Sequence, residues 1–296
     1  MSAASLFAIA SCAPALVASA PAVAAPSPGF YLSLGASESV GVQPSARYPH
    51  GGFTNEGYAN DLVSALASEG VNLTLTHLGC PGESTTSAIS GFDRCSHASG
   101  SQLSDAVAFL KAHTNDAGLV TIDLGFNDLR PCVLQEFVNP SCASAQLAFT
   151  RENLATIVST LRAAAGPKVT FIGLNHADPF LAYAVNRTRD LNFAAASASA
   201  ITALNATLAN VYSSAHIPVA NVAGAFASAQ ATPTRLAHIG WAPLNVTREC
   251  NWTWMCPSGN VGPNIHPNDK GYQVMARAIE QALPQSFFAT QNTPSN

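Results

Sequence analysis

Four short stretches carry residues whose types and order could do chemistry. Phe30 to Leu34 alternates large apolar side chains and then breaks at Gly35-Ala36-Ser37, followed by Glu38, Ser39 and Gly41. That is the pattern of a β-strand running into a tight turn, with the Ser37 hydroxyl lifted to the carboxyl edge of a sheet. Val71–Thr76 reads as a second strand and breaks at Leu78-Gly79-Cys80-Pro81-Gly82-Glu83-Ser84-Thr85. There Gly82, lacking a Cβ, can bring a bare backbone N–H close to a ligand. The apolar strand Leu119–Leu124 ends in Gly125-Phe126-Asn127-Asp128, which offers the Asn127 amide. Ile265-His266-Pro267-Asn268 offers an imidazole just before the last helix. Acyl transfer needs this set: a hydroxyl to attack a carbonyl, a base to take its proton, and fixed donors where the oxyanion forms. Singly, each stretch also reads as ordinary structure. Ser39 stands where a G-x-S-x-G elbow would have its last glycine, and His266 is one of eight histidines.

The elements that position these residues follow from hydrophobic periodicity. Helical spacing recurs over Asn60–Glu69, Leu103–Thr114, about 143–165, Asp190–Ser213 and about 269–283. Lys168–Leu174 and Ile217–Val222 bring the strands to five. Gln43–Gly57, Pro131–Cys142 and Asn175–Asn186 read as loops. Thr232–Pro263 reads as long and irregular, and Gln285–Asn296 as a loose tail. Strands alternating with helices predict an α/β fold: a single doubly wound, flavodoxin-like domain with a five-stranded parallel sheet flanked by helices. No linker or internal repeat divides residues 26–290, and 291–296 is the loose end.

In order and spacing, Gly35-Ala36-Ser37-Glu38-Ser39, the Gly79–Thr85 block, Gly125-Phe126-Asn127-Asp128 and Ile265-His266-Pro267-Asn268 resemble the four blocks of SGNH/GDSL hydrolases. The resemblance spans nearly the whole chain after its N-terminal segment. Length, an export signal and three local cysteine pairs make it most similar to the secreted esterase and lipase branch from actinomycetes. The resemblance implies Ser37 as nucleophile and His266 as general base. It implies an oxyanion hole from the Ser37 N–H, the Gly82 N–H and the Asn127 side chain, with no metal and no organic cofactor. Two positions depart from the family pattern. Ala36 stands where an Asp, held to be structural, usually precedes the serine. Pro263, followed by Asn264, stands where the family's acid lies three residues before the histidine, and neither can carry a negative charge to the imidazole. Loss of such a partner can cost about 10⁴ in rate where nothing replaces it. A main-chain carbonyl at Pro263 or Asn264, or one in Trp252–Met255, is the expected support. Asp269 is a less favoured substitute, because it begins a helix and suits a cap.

Other residues stay open. His176-Ala177-Asp178 could touch a ligand or metal, but reads better as loop lining. Asp123 and Asp128 could be paired acids, although Asp123 falls inside an apolar strand and suits a hydrogen-bonded structural role. Glu38 could line the cleft and bias substrate charge. Trp241, Trp252 and Trp254 could bind acyl chains or sugar rings, or pack over the sheet. The Ala-rich stretch Phe193–Ala209 suits a packing helix better than a membrane span, since Asn, Ser and Thr recur through it.

Composition bounds the partners. The chain has 296 residues, 48% hydrophobic and 10% charged, with net charge −4 and no basic run, so capture of nucleic acid is not expected. Met1 to Pro28 carries no charged side chain, and Ala18-Ser19-Ala20 and Ala22-Val23-Ala24 are small-x-small cleavage patterns. Residues 1–25 therefore read as a signal peptide, although no Lys or Arg precedes the apolar run. Ile9-Ala10-Ser11-Cys12 is the alternative, a lipoprotein site anchored through Cys12. Beyond Cys12, six cysteines form three close pairs, and neighbour pairing predicts Cys80–Cys95, Cys132–Cys142 and Cys250–Cys256 in an oxidising compartment. No pair has the C-x-x-C spacing of a zinc site. Sequons at Asn72, Asn186, Asn205, Asn245 and Asn251 do not by themselves establish glycosylation. The expectation is a secreted, monomeric serine hydrolase of small-molecule or lipid acyl esters without stable membrane insertion. The absence of a long amphipathic lid helix favours short-chain esters. Two alternatives are an O-deacetylase of carbohydrates using the same site and a non-catalytic binding protein on a decayed hydrolase fold.

Overall fold

Residues 29–134, 137–185, 189–256 and 261–291 are described by the computed structural model of this chain. The segment 1–25 expected to be a signal peptide, Cys12, the sequon at Asn186 and residues 292–296 lie outside them. In chain order the first strands are β1 (Gly29–Gly35), β2 (Leu73–His77), β3 (Gly118–Asp123), the small ladder of β4 (Val133–Leu134) with β5 (Phe137–Val138), β6 (Val169–Leu174) and β7 (Val219–Ala220). Strands β2-β1-β3-β6-β7 pair in that order, all parallel. The chain leaves β1 toward β2 and returns to the other side of β1 at β3, so the topological switch point lies between β1 and β3. Ser37 follows the first of these strands and Asn127 the second.

Buried parallel strands need apolar residues on both faces. On one face Phe30, Leu32, Leu34, Val120 and Ile122 meet α3 (Gln102–Ala112), α5 (Pro140–Ala164) and α6 (Leu191–Ser214), with the short α2 (Thr85–Ser90) and the single turn α4 (Phe126–Leu129) nearby. On the other, Tyr31, Leu119 and Ile172 meet α1 (Tyr58–Ser68) and α9 (Asp269–Ala282). The Ala-rich stretch is α6, packed through Ile201, Leu204, Leu208 and Tyr212. Among the described residues, no helix is long and apolar enough to cross a membrane. All three expected disulfides form, with Cα–Cα distances of 6.0, 5.4 and 4.8 Å.

In three segments expected to be irregular, described residues form regular elements. The stretch 232–263 holds the hairpin β8 (Pro233–Leu236) and β9 (Gly240–Pro243), then α8 (Leu244–Trp252) and β10 (Thr253–Trp254). Helix α8 buries Val246, Thr247, Glu249 and Cys250, so two polar residues occupy the face that periodicity needed to be apolar. In the expected tail, α10 (Gln285–Gln291) forms and Phe287 is buried against Phe288. Within 175–186, Pro179–Ala184 forms a 3-10 turn capped by Asp178. Thr85–Ser90, where hydrophobic periodicity predicted no helix, is α2, closed by a reciprocal Ser84–Ser87 capping box. The last strand, β11 (Asn264–Pro267), pairs antiparallel with β10 and delivers His266 into α9.

Candidate active site

The turn that carries Ser37 is held from below. Gly35 ends β1 at φ +150°, where a Cβ would come within 2.5 Å of the Asp123 carbonyl, so the sharp exit requires glycine. The Gln102 side chain grips both faces of that peptide, accepting from the Gly35 N–H and donating to its carbonyl, each at 2.9 Å. Ser39 Oγ donates to the Ala36 carbonyl at 2.7 Å, which closes the turn around a half-buried Ser37.

Gly82 and Asn127 arrive on separate elements that Asp128 ties together. Gly82 has φ +89° in the loop closed by Cys80–Cys95. Asp128 accepts from the Thr85 N–H at 3.0 Å and from its hydroxyl at 2.5 Å. Asn127 Nδ2 donates to the Glu83 carbonyl at 3.0 Å, which spends one amide proton and leaves the other. Among the described residues, neither the Ser37 N–H nor the Gly82 N–H has a hydrogen-bond partner. Glu83 is fully buried, and Gln102 and Ser87 donate to its carboxylate.

His266 meets a partner that charge-based reasoning passed over. Its Nδ1 lies 2.6 Å from Asn264 Oδ1, and its own backbone N–H donates to the same atom at 3.1 Å. A backbone N–H can only donate, so that atom of Asn264 must be the oxygen. The oxygen carries no proton, so Nδ1 is the donor and Nε2 is left as the bare base. The support is therefore the Asn264 side chain rather than a main-chain carbonyl of Pro263 or Asn264. Asp269 is engaged elsewhere, accepting from Gln43 Nε2 at 2.7 Å, while Asn268 caps α9. Burial first, and the Arg130 guanidinium second, push the His266 pKa down to about 4, so the imidazole is neutral at pH 7.

These residues share one cleft of about 1010 Å³, in which Ser37, Gly82, Asn127 and His266 are joined by Arg94 and Arg130. Tyr48 and Phe53 stand 52% and 67% exposed at its edge, and among the described residues that line it none carries a carboxylate. A small cavity of about 20 Å³, also bordered by Ser37 and His266, reaches Glu38, Asp123 and His176.

The remaining candidates divide differently from expectation. Glu38 borders the small cavity and does not line the cleft. Asp123 is 2% exposed, and among the described residues its Oδ2 finds no partner at ordinary hydrogen-bond distance, although the Tyr58 hydroxyl stands beside the carboxyl. Burial raises the Asp123 carboxyl to about 7 and raises Glu38 well above its usual range. Asp128 does not pair with it, being bonded to Thr85. His176 and Asp178 are buried rather than lining a loop; Asp178 accepts from Ser197 Oγ and the Phe180 N–H. The tryptophans stay out of the cleft: Trp252 packs edge-on against Phe226, Trp254 donates to Gln43, and Trp241 stands exposed on β9.

With the geometry in place, comparison with known proteins gives consistent answers. The model of the GDSL-like lipase/acylhydrolase family matches residues 34–274. Among curated proteins, none matches. The fold resembles the extracellular lipase of Streptomyces rimosus (TM-score 0.55, 17% identity, 86% of this chain and 100% of that one). It resembles equally phospholipase A1 of Streptomyces albidoflavus (TM-score 0.55, 17% identity, 87% and 100%). A lipase from a goat rumen metagenome is also similar (TM-score 0.52, 16% identity, 86% and 96%).

Proposed function

This chain belongs to the GDSL-like lipase/acylhydrolase family and is a carboxylic ester hydrolase; on that premise we propose that Ser37 is its nucleophile and His266 its base. His266 Nε2 takes the Ser37 proton as Oγ attacks the ester carbonyl. The Ser37 and Gly82 N–H groups and the second Asn127 amide proton receive the oxyanion. His266 returns the proton to the departing alcohol, leaving an acyl-enzyme on Ser37. Water activated by the same nitrogen then releases the acid. Asn264 holds the tautomer and ring orientation through both half-reactions, the part a carboxylate plays in many triads. The observation that carries this reading is the pair of bonds to Asn264 Oδ1, which leave Nε2 bare in the cleft of Ser37. Three disulfides support export to an oxidising compartment.

A p-nitrophenyl ester series from acetate to palmitate, run with wild type and Ser37→Ala, tests it. Turnover should fall to background in Ser37→Ala, a loss of about 10⁴ or more. The chain-length optimum then assigns esterase or lipase character. Turnover retained in the variant removes Ser37 from its role. A wild type inert on esters but releasing acetate from acetylated sugars is a deacetylase. One that is inert on both, and unlabelled by a serine-directed phosphonate, is a binding protein.

A further inference from the structure

Beneath the nucleophile turn, three adjacent strands deliver Glu38, Asp123 and His176 to one point, with one ligand atom of each within 4.8 Å of the others. Glu38 comes from the turn after β1, Asp123 from the end of β3 and His176 from just beyond β6. The imidazole is locked. Its Nε2 lies 3.2 Å from the Leu124 carbonyl, an acceptor without a proton, so Nε2 carries the hydrogen and Nδ1 is bare. Asn205 clamps the His176 backbone from both sides, accepting from its N–H at 2.9 Å and donating to its carbonyl at 2.8 Å. The bare Nδ1 lies 3.7 Å from Asp123 Oδ1. Among the described residues Asp123 Oδ2, deep in the protein, has no partner at ordinary hydrogen-bond distance. Two acidic groups and an unprotonated nitrogen are gathered here with the Tyr58 hydroxyl beside Asp123 as their neighbouring donor, an arrangement that a cation would ease. An imidazole whose outer N–H is spent on a backbone carbonyl is also the usual setting of a metal-bound histidine.

We propose that Glu38, Asp123 and His176 hold one divalent transition-metal ion, Zn²⁺ by ligand type, that ties three strand ends together under the nucleophile. Two carboxylates balance its charge, and the nitrogen ligand favours Zn²⁺ or Mn²⁺ over Ca²⁺ or Mg²⁺. The cavity of about 20 Å³ between the side chains has room for one ion or one water. Metal bonds of about 2.1 Å place tetrahedral ligand atoms about 3.4 Å apart, so the trio closes by up to about 1.4 Å on binding. The ion acts by position: Glu38 is next to Ser37, and Asp123 is on the strand that leads to Asn127. Its effect on turnover rests on the reading of Ser37 and Asn127 given above, whereas its binding does not.

The test uses tag-free full-length protein stripped with a chelator, titrated with Zn²⁺ by calorimetry and followed by thermal unfolding, beside Asp123→Asn and His176→Ala. Wild type should take up one equivalent, and Tm should rise by about 5 °C at saturation. Asp123→Asn should keep or raise the metal-free Tm, because it removes a buried charge, yet lose the Zn²⁺ response. Wild type without saturable uptake of Zn²⁺ or Mn²⁺ overturns the site and leaves a proton shared between the carboxyls. Uptake and Tm gain unchanged in both variants overturn it as well, since the ion then binds elsewhere. The wild-type titration decides the matter even where a variant fails to fold.

Discussion

At His266 the two ring nitrogens are told apart by a neutral side chain. An amide oxygen can fix a tautomer as well as a carboxylate does, but it cannot stabilise the imidazolium by charge. Asn264→Ala should therefore lower kcat by about 10²-fold or more, with KM little changed, in steady-state ester hydrolysis. Asn264→Asp should keep turnover and move the acid limb of the kcat/KM profile upward, because the added charge favours the protonated ring. In wild type that limb should have its midpoint near pH 4, where burial and Arg130 place the His266 pKa. The depressed value has a stability counterpart of fixed sign. As pH falls from about 6.5 to about 4, the unfolded chain binds the proton before the folded one does, so this residue costs stability across that window. Sequence reading reached Ser37, Gly82, Asn127 and His266 because each sits in a short local pattern. It passed over the Asn264 side chain because the search was for negative charge, and nothing in the residue order says which amide atom faces the ring.

At the level of elements, the proposed oxyanion donors Gly82 and Asn127 depend on how α2 and α4 are fastened. Asp128 reaches across from the turn after β3 to the first residue of α2, and Asn153 of α5 donates to the same Thr85 hydroxyl. Asp128→Ala should loosen Gly82 against Asn127 and lower kcat by about 10²-fold, while phosphonate labelling of Ser37 slows in parallel. A stability loss with kcat intact would restrict Asp128 to folding. The long periodic helices were legible in the sequence because their apolar faces repeat over many turns. Helix α8 was not, since Thr247 and Glu249 lie on its buried face, nor was α10, too short for a period to declare itself. The trio under the nucleophile turn was equally hidden: Glu38, Asp123 and His176 are far apart in sequence, and strand order alone makes them neighbours.

For the molecule as a whole, alternation of strands and helices was enough to specify a parallel sheet between helical layers, because few topologies satisfy right-handed crossovers with short connections. The walls of the cleft were not specified by that pattern. Arg94 and Arg130 come from segments that have no sequence relation to each other, and they face one opening in a chain of net charge −4. That opening, with no carboxylate among its described lining residues, makes encounter a matter of ionic strength. Field lines from two guanidinium groups should steer anionic esters inward, and dissolved ions shorten their reach to about 8 Å at physiological salt. Between 20 and 500 mM NaCl, kcat/KM should drop about several-fold for an ester carrying a carboxylate or phosphate and stay level for a neutral one of equal size. Arg94→Gln with Arg130→Gln should flatten the first curve onto the second, and a wild type indifferent to salt would show that substrates find this cleft by diffusion alone.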